Sequence, residues 1–479
     1  LAKALRQRGM SLCIDLVLNH TAKEHAWALQ AAKGDVTHQD YYLMFDDDTL
    51  PKQYEETLVE IFPDNAPGSF THYPQLGKWV WTTFNEHQWD LNWANPQVFL
   101  EIAKIMMFLA NKGVDVLRLD AVAFMWKRMG TRCQSEPEVH KILRALRAVT
   151  RIAAASVLHL EEAIVGPAEM LTYFGRGEHD GREGNLAYHN NLMVQYWSAL
   201  ATRDTRLMTH VLKTHFPEHL TNATYATYIR CHDHIGWAIT DEDAAAIGVT
   251  GFGHRAFLSD FYEGSFPGSF ARGALFQVND ETGDKRISGT FASLAGLERA
   301  REAGDAEGIA TAIHRMLLGN ALIASFGGVP LIYMGDEIAM TNDHRYMRAP
   351  EHAHDSRWIH RPKMDWDTAL AVEPDSPESR VLDGTRYVFQ RRKAVPAIHG
   401  GHPTRIVAAP NKAVFAFMRL APTGTLLCLF NFSEEWQNVP VDWLREREVV
   451  EFHDLLSDTT VECENGIFTL PPYGRVWLV

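Results

Sequence analysis

The sequence predicts an α/β fold in which short buried strands alternate with helices in a parallel sheet or barrel, followed by a small antiparallel β domain. Three features predict it. Short apolar runs rich in β-branched residues recur as far as Glu337, as strands buried on both faces require. Helical patterns lie between several of those runs. From about Arg391 the pattern changes to apolar runs such as Ala413–Met418 (AVFAFM) and Leu426–Phe432 (LLCLFNF), which suit paired antiparallel strands.

Leu1, Ala4 and Leu5, set among Lys3, Arg6, Gln7 and Arg8, read as the tail of a helix, with Gly9 where a terminating glycine belongs. The first strand run is Ser11–His20 (SLCIDLVLNH), followed by Val114–Phe124 (VDVLRLDAVAF) and Ser156–Val165 (SVLHLEEAIV). Thr224–His234 (TYATYIRCHDH) and Val329–Glu337 (VPLIYMGDE) complete the set. Helices are expected at Pro96–Asn111, Glu138–Ala155 and Ile309–Ser325. Asp15 and Asp120 stand 105 positions apart, more than one connection needs. The intervening segment carries Tyr41, Tyr42, Phe45, Trp79, Trp81, Phe84, Trp89 and Trp93, so it reads as a subdomain inserted over a site. A second gap, Asp233 to Pro330, includes Gly251–Gly289 with seven glycines and is expected to be an insertion built from loops. The expected division is a barrel domain from residues 1–19, 94–232 and 300–390, insertions at 20–93 and 233–299, and a C-terminal β domain at 391–479.

Lys and Arg number 46 and Asp and Glu 60, for a formal charge of −14, which argues against nucleic acid or an anionic membrane as partner. Thr311–Met334 comes nearest to a membrane span and is broken by His314, Arg315 and Asn320. Cys13, Cys133, Cys231, Cys428 and Cys463 are few, odd in number and scattered, so neither a disulfide framework nor a zinc ribbon is expected. A cytoplasmic location is the expectation. Because the chain opens on Leu1 inside a helix, it reads as a fragment, and secretion stays open. Oligomeric state is not legible.

Several runs end in groups that bear chemistry: Asn19 with His20, Arg118 with Asp120, Glu162, and His232 with Asp233. In a βα barrel such strand ends converge on one mouth. Separated carboxylates with histidines and an arginine suit glycosyl transfer, which needs one carboxylate at the anomeric carbon and one acid beside the leaving oxygen. Each residue alone has a plainer reading: a lone Asp at a strand end usually caps a turn, and Asp15, inside its run, reads as a structural carboxylate. Their joint order along the chain is what favours the chemical reading.

That order, D-x-x-x-N-H (Asp15–His20), R-x-D (Arg118–Asp120), Glu162 and H-D (His232, Asp233), resembles the signature regions of the α-amylase clan. The stretches VLRLDAVAFMWK, EEAIVGP, RCHDHIGW, GSFARG, TGDKRISGT and DSRWIHRP look like the amylosucrases, and the similarity covers essentially the whole chain. The resemblance implies a (β/α)8 TIM-type barrel lacking its first strands, a subdomain after strand three, an insertion after strand seven and a C-terminal antiparallel β domain. It implies a retaining double displacement on sucrose, with glucose passing to an α-1,4-glucan and fructose released. By motif, Asp120 is the nucleophile, Glu162 the acid/base and Asp233 the transition-state stabiliser. His20 and His232 would grip the glucosyl ring, Arg118 orient Asp120, and Phe84 pack on the glucosyl side. Arg286 would belong to the fructosyl or acceptor side, and Arg357 would close the pocket bottom through a salt bridge to an aspartate upstream of residue 1. No cofactor and no metal are called for, since two carboxylates suffice.

The chain departs from that pattern at two described motifs. His234 stands where the family has an acid, which bears on the acceptor side and on transfer against hydrolysis. Glu161 precedes Glu162 where a small residue is expected, and since adjacent strand residues face opposite ways, only one can face the mouth. Three alternatives follow: a sucrose hydrolase or another sucrose-acting member of the clan, a metal-dependent hydrolase using His232, Asp233 and His234, and an inactive sugar-binding fragment. Product balance, sensitivity to a chelator, and binding without turnover separate them.

Overall fold

Parallel pairing sets the positions of the chemical groups. In the computed structural model, which describes residues 1–61, 68–278, 283 and 285–479, strands β1 (Cys13–Val17), β2 (Val116–Asp120), β3 (Leu158–Glu161) and β4 (Leu186–Tyr188) lie side by side in that order. The register places Val17 opposite Asp120, Leu119 opposite Glu161 and Glu161 opposite Ala187, so all four strands end at one level. Helix α1 (Pro96–Asn111) leads into β2, and α2 (Pro137–Ala153) leads into β3. Both begin with proline in the first turn, whose missing N–H would be unpaired there anyway. Asn95 adds a side-chain cap to α1, accepting from the Gln97 N–H. The predicted bounds of α1 are matched and those of α2 differ by one or two residues. Strand β4 went unread: its three residues are too short for a periodic signal.

Contacts group the described residues into two units, Leu1–Tyr188 with Thr221–Ala223, and His189–Leu220 with Thr224–Val479. In the first, residues after β1 form antiparallel ribbons: His20–Ala22 pairs with Gln88–Asp90, and Lys78–Trp81 pairs with both Met44–Phe45 and Phe70–Tyr73.

The second unit holds the parallel pair β5 (Thr224–Tyr228) and β8 (Val329–Leu331). Between them come helix α3 (Gly251–Glu263), the antiparallel hairpin of β6 (Ala274–Val278) and β7 (Lys285–Ser288), and helix α4 (Ala306–Ser325). The expectation of loops over Gly251–Gly289 is therefore corrected for α3 and the hairpin. The glycines there mark helix ends: the Thr250 side chain caps the Gly253 N–H, and Gly264 takes φ +101° to terminate α3. Thr282 and Asp284 of the TGDKRISGT motif lie outside the described residues.

Beyond Thr404 the chain forms an antiparallel sheet through Thr404–Val407, Val414–Ala421, Gly424–Asn431 and Arg475–Leu478. Val414, Ala416, Leu427, Leu429, Leu470 and Leu478 line its core. Within this unit the sheet is tied to the α-helical part. Phe417 packs edge-on to Phe326 at 5.4 Å, and Thr205 bonds the carbonyls of Lys412 and Val414. Among the described residues no helix is long and apolar enough to cross a membrane.

Candidate active site

In the first unit the aligned strand ends gather Arg118, Asp120, Glu162 and Tyr188. Arg118 Nη1 donates to Asp120 Oδ1 at 2.5 Å and to Asp15 Oδ1 at 3.0 Å, and its Nε donates to the Tyr188 hydroxyl at 3.0 Å. Its Nη2 lies 3.7 Å from Glu162 Oε1. Burial alone would lower the Arg118 pKa, but Glu162, Tyr188, Asp120 and Asp15 outweigh it and raise the value, so the guanidinium stays charged. Glu162 also accepts from the Ala121 N–H at 3.1 Å. Ala121 reaches it from a left-handed conformation (φ +56°), strained for a residue with a Cβ, at the turn that follows Asp120.

Glu161 and Glu162 turn opposite ways. Glu161 is fully buried, and among the described residues neither of its carboxylate oxygens has a hydrogen-bond partner. Burial, with Glu183 nearby and Arg147 opposing, raises its pKa well above the usual range, which favours the protonated form.

His20 sits opposite Asp90 in its ribbon, buried, with its ring 5.3 Å from that of Phe84. Gln88 Nε2 donates to His20 Nε2 at 2.9 Å. Burial lowers the His20 pKa against the pull of Asp90 and Asp120, so the ring is neutral. Beneath this pair lies an ion pair that sequence reasoning did not single out. Lys127 Nζ meets Asp90 Oδ2 at 2.6 Å, with the two side chains 5% and 0% exposed. Asp90 also accepts from Asn19 and Thr83, and Lys127 donates to the Phe124 carbonyl. Lys127 stands in the motif stretch VLRLDAVAFMWK, which was the available signal.

In the second unit Asp233, His234, Arg286 and Arg357 come together, with His232 beside them. Asp233 Oδ1 accepts from the His234 backbone N–H and faces His234 Nδ1, both at 2.8 Å, and accepts from Arg357 Nη1 at 3.3 Å. Burial would raise the Asp233 pKa, but His234, Arg357 and His232 hold it well below the usual carboxylate range. The His234 pKa is lowered by burial and by Arg286 and Arg357, against Asp233, so its ring is neutral. It therefore acts on Asp233 by hydrogen bonding, and Arg357 supplies the charge. His232 is exposed and presents its carbonyl to Arg361 Nε at 2.6 Å.

Arg357 has a carboxylate partner among the described residues. Asp355, two residues upstream, fills its fork with Nε–Oδ1 and Nη2–Oδ2 bonds of 2.9 and 2.8 Å. Asp355 also caps the short helix Ser356–His360, so one carboxylate serves both purposes. Phe276 and Gln277 were also missed. Phe276 stacks on His234 at 4.7 Å, and Gln277 accepts from Arg286.

Comparison with known proteins decides the family. Residues 1–241, half of the chain, match the alpha amylase catalytic domain. The chain belongs to the alpha-amylase family. Residues 404–479 match the amylosucrase C-terminal domain. The chain is 27% identical to a glucosylglycerate phosphorylase of Spirochaeta thermophila, over 88% of this chain and 67% of that protein. It is 32% identical to the trehalose synthase of Thermus thermophilus over 98% of this chain, yet spans only 46% of that longer protein. The solved isomaltulose synthase of Klebsiella sp. LX3 superposes with a TM-score of 0.65 at 16% identity, covering all of this chain and 85% of that one. At that identity the likeness is one of fold, and the fold is the alpha-amylase barrel with its antiparallel C-terminal sheet. Among the described residues of this alpha-amylase family member, no group of three or more His, Cys, Asp or Glu side chains is arranged to hold a metal ion.

Proposed function

We propose that the chain is a retaining α-glucosyltransferase that takes glucose from sucrose, releases fructose and extends an α-1,4-glucan. The observation that carries this reading is the Arg118 guanidinium, bonded to Asp120 and 3.7 Å from Glu162. It holds two carboxyl groups at one strand-end cluster, the pair that double displacement needs. Asp120 attacks the anomeric carbon while Glu162 protonates the departing fructosyl oxygen. Glu162 then takes the proton from the acceptor hydroxyl as that oxygen displaces Asp120, restoring both carboxyls. Asp233, held ionised, is assigned to stabilise the charge that develops on the glucosyl ring. His20, Phe84 and His232 are assigned to the glucosyl ring, Arg286 and His234 to the fructosyl or acceptor side, and Arg357 to closing the pocket bottom. The match of residues 404–479 to the amylosucrase C-terminal domain supports the choice of sucrose.

A second reading replaces the glucan acceptor by inorganic phosphate. Arg357 and Arg361 lie 3.3 and 3.9 Å from Asp233, and Arg286 adjoins His234, a cationic group suited to an anion. A relative named glucosylglycerate phosphorylase accords with it.

Sucrose incubated alone, with glycogen and with phosphate, beside an Asp120→Asn control, separates the readings. Fructose exceeding glucose, dependent on glycogen and abolished in the control, is the expected result. Equal fructose and glucose means hydrolysis, glucose 1-phosphate means phosphorolysis, and sucrose binding without release means an inactive site. EDTA is expected to leave the rate unchanged, and a loss restored by a divalent metal would favour the metal-dependent alternative.

A further inference from the structure

The β6–β7 hairpin carries an irregularity that aims a side chain. Phe276 pairs with Arg286 and Val278 with Lys285, so Gln277 is the extra residue of a β-bulge. It takes φ +50°, a conformation uncommon for a residue with a side chain. In a regular strand Phe276 and Gln277 would face opposite ways. Here both serve one group: Phe276 stacks on the His234 ring at 4.7 Å with the planes 27° apart, and Gln277 Oε1 accepts from Arg286 Nη1 at 3.2 Å. The same Nη1 faces His234 Nε2 at 3.5 Å. Gln277 Nε2 is buried and has no hydrogen-bond partner among the described residues, a cost tolerated at this position.

Donor and acceptor rules give the chain a direction. The Asp233 carboxylate only accepts, so the Nδ1 facing it at 2.8 Å carries the proton. Nε2 then presents its lone pair to Arg286, which only donates. Gln277 holds Arg286 at that lone pair. We propose that Gln277 is a positioning residue that fixes the His234 tautomer through Arg286, and thereby governs whether a sugar or water accepts the glucosyl group. The second half of this inference rests on the glucosyl-transfer reading above.

Charged groups around His234 in this unit are Asp233 from its own loop, Arg286 from β7, and Arg357 from the short helix Ser356–His360, with Asp355 locked to Arg357 and Arg361 3.9 Å from Asp233. Of these, Gln277 touches Arg286, which disfavours a charged His234. Gln277→Met keeps the length and removes the acceptor, while Gln277→Glu keeps an oxygen toward Arg286.

The test is histidine-ring NMR of the full chain, with His234 identified by its absence in His234→Gln, together with sucrose turnover with and without glycogen. In Gln277→Met, His234 is expected to lose its single Nδ1–H signature and to titrate roughly half a pH unit or more higher. The ratio of transfer to hydrolysis is expected to fall severalfold. Gln277→Glu is expected to restore the tautomer. Unchanged His234 resonances in a folded Gln277→Met overturn the positioning role, whatever the substrate proves to be. Altered resonances with an unchanged product ratio overturn the link to acceptor choice. If the wild type does not turn over sucrose, the function reading fails, and the ring spectra still decide the positioning.

Discussion

Arg118 meets three carboxylates and a tyrosine through one planar fork, and that geometry is not available to a lysine. Arg118→Lys keeps the charge but gives up simultaneous bonds to Asp120 and Tyr188. A loss of about 10²-fold in kcat, with KM little changed, is expected from steady-state kinetics on sucrose, since orientation of the reacting group is what is lost. Lys127 poses the opposite problem. Its ammonium and the Asp90 carboxylate are buried together, so Lys127→Met leaves a charge in the interior without its cation. About 3–5 kcal/mol of stability should be lost, measurable by urea unfolding, whereas exchanging both partners for apolar residues should cost less.

At the scale of an element, strand β3 ends in Glu161 and is followed at once by Glu162, and the two glutamates differ in environment. Glu161 sits behind the strand, so close to Gly184 that a Cβ there would lie 2.5 Å from Glu161 Cγ. Its pKa is raised in the folded chain, so the folded state binds the proton more tightly than the unfolded one. Stability therefore falls as pH climbs above the ordinary glutamate value of about 4.3, with a slope approaching 1.4 kcal/mol per pH unit, until the folded-state pKa is passed. Glu161→Gln removes the dependence. Thermal melts should show the variant more stable than wild type at pH 8, with the gap closing toward pH 5. A gap that does not change with pH would mean that Glu161 is ionised in the folded chain.

For the whole molecule, the C-terminal sheet and the helices of its unit share one interior. Arg315 of α4 lies 3.6 Å from the Phe270 ring and 5.0 Å from that of Tyr473, and Arg419, fully buried in the sheet, donates to the Phe326 and His399 carbonyls. Ending the chain at residue 403 would strip Tyr473 and Arg419 and expose the apolar side of α4. Such a chain is expected to be insoluble or to lack a cooperative melt, and a soluble, cooperatively folded product would show that the sheet is dispensable.

What was legible in the sequence follows from periodicity and order. The strands that lead to Asp120 and Glu162 announced themselves by continuous apolar runs, and Pro96–Asn111 by its helical pattern, because burial on two faces or one leaves those marks. The ordered set from Asp15 to Asp233 pointed to glycosidic chemistry and to the alpha-amylase family, which residues 1–241 match. Contacts across distant segments left no such mark. Lys127 and Asp90 read as ordinary charges until folding buries both, and Arg357 finds Asp355 because a capping turn brings its fork onto the carboxylate. Gln277 is the plainest case: a bulge turns its side chain toward Arg286, where strand alternation alone would have sent it the other way. The local sequence determined which segments are strands and helices and which chemical groups end them, since those depend on neighbouring residues. Only the tertiary structure decided which of those groups face each other, since hydrogen bonds and burial depend on residues far apart in the chain.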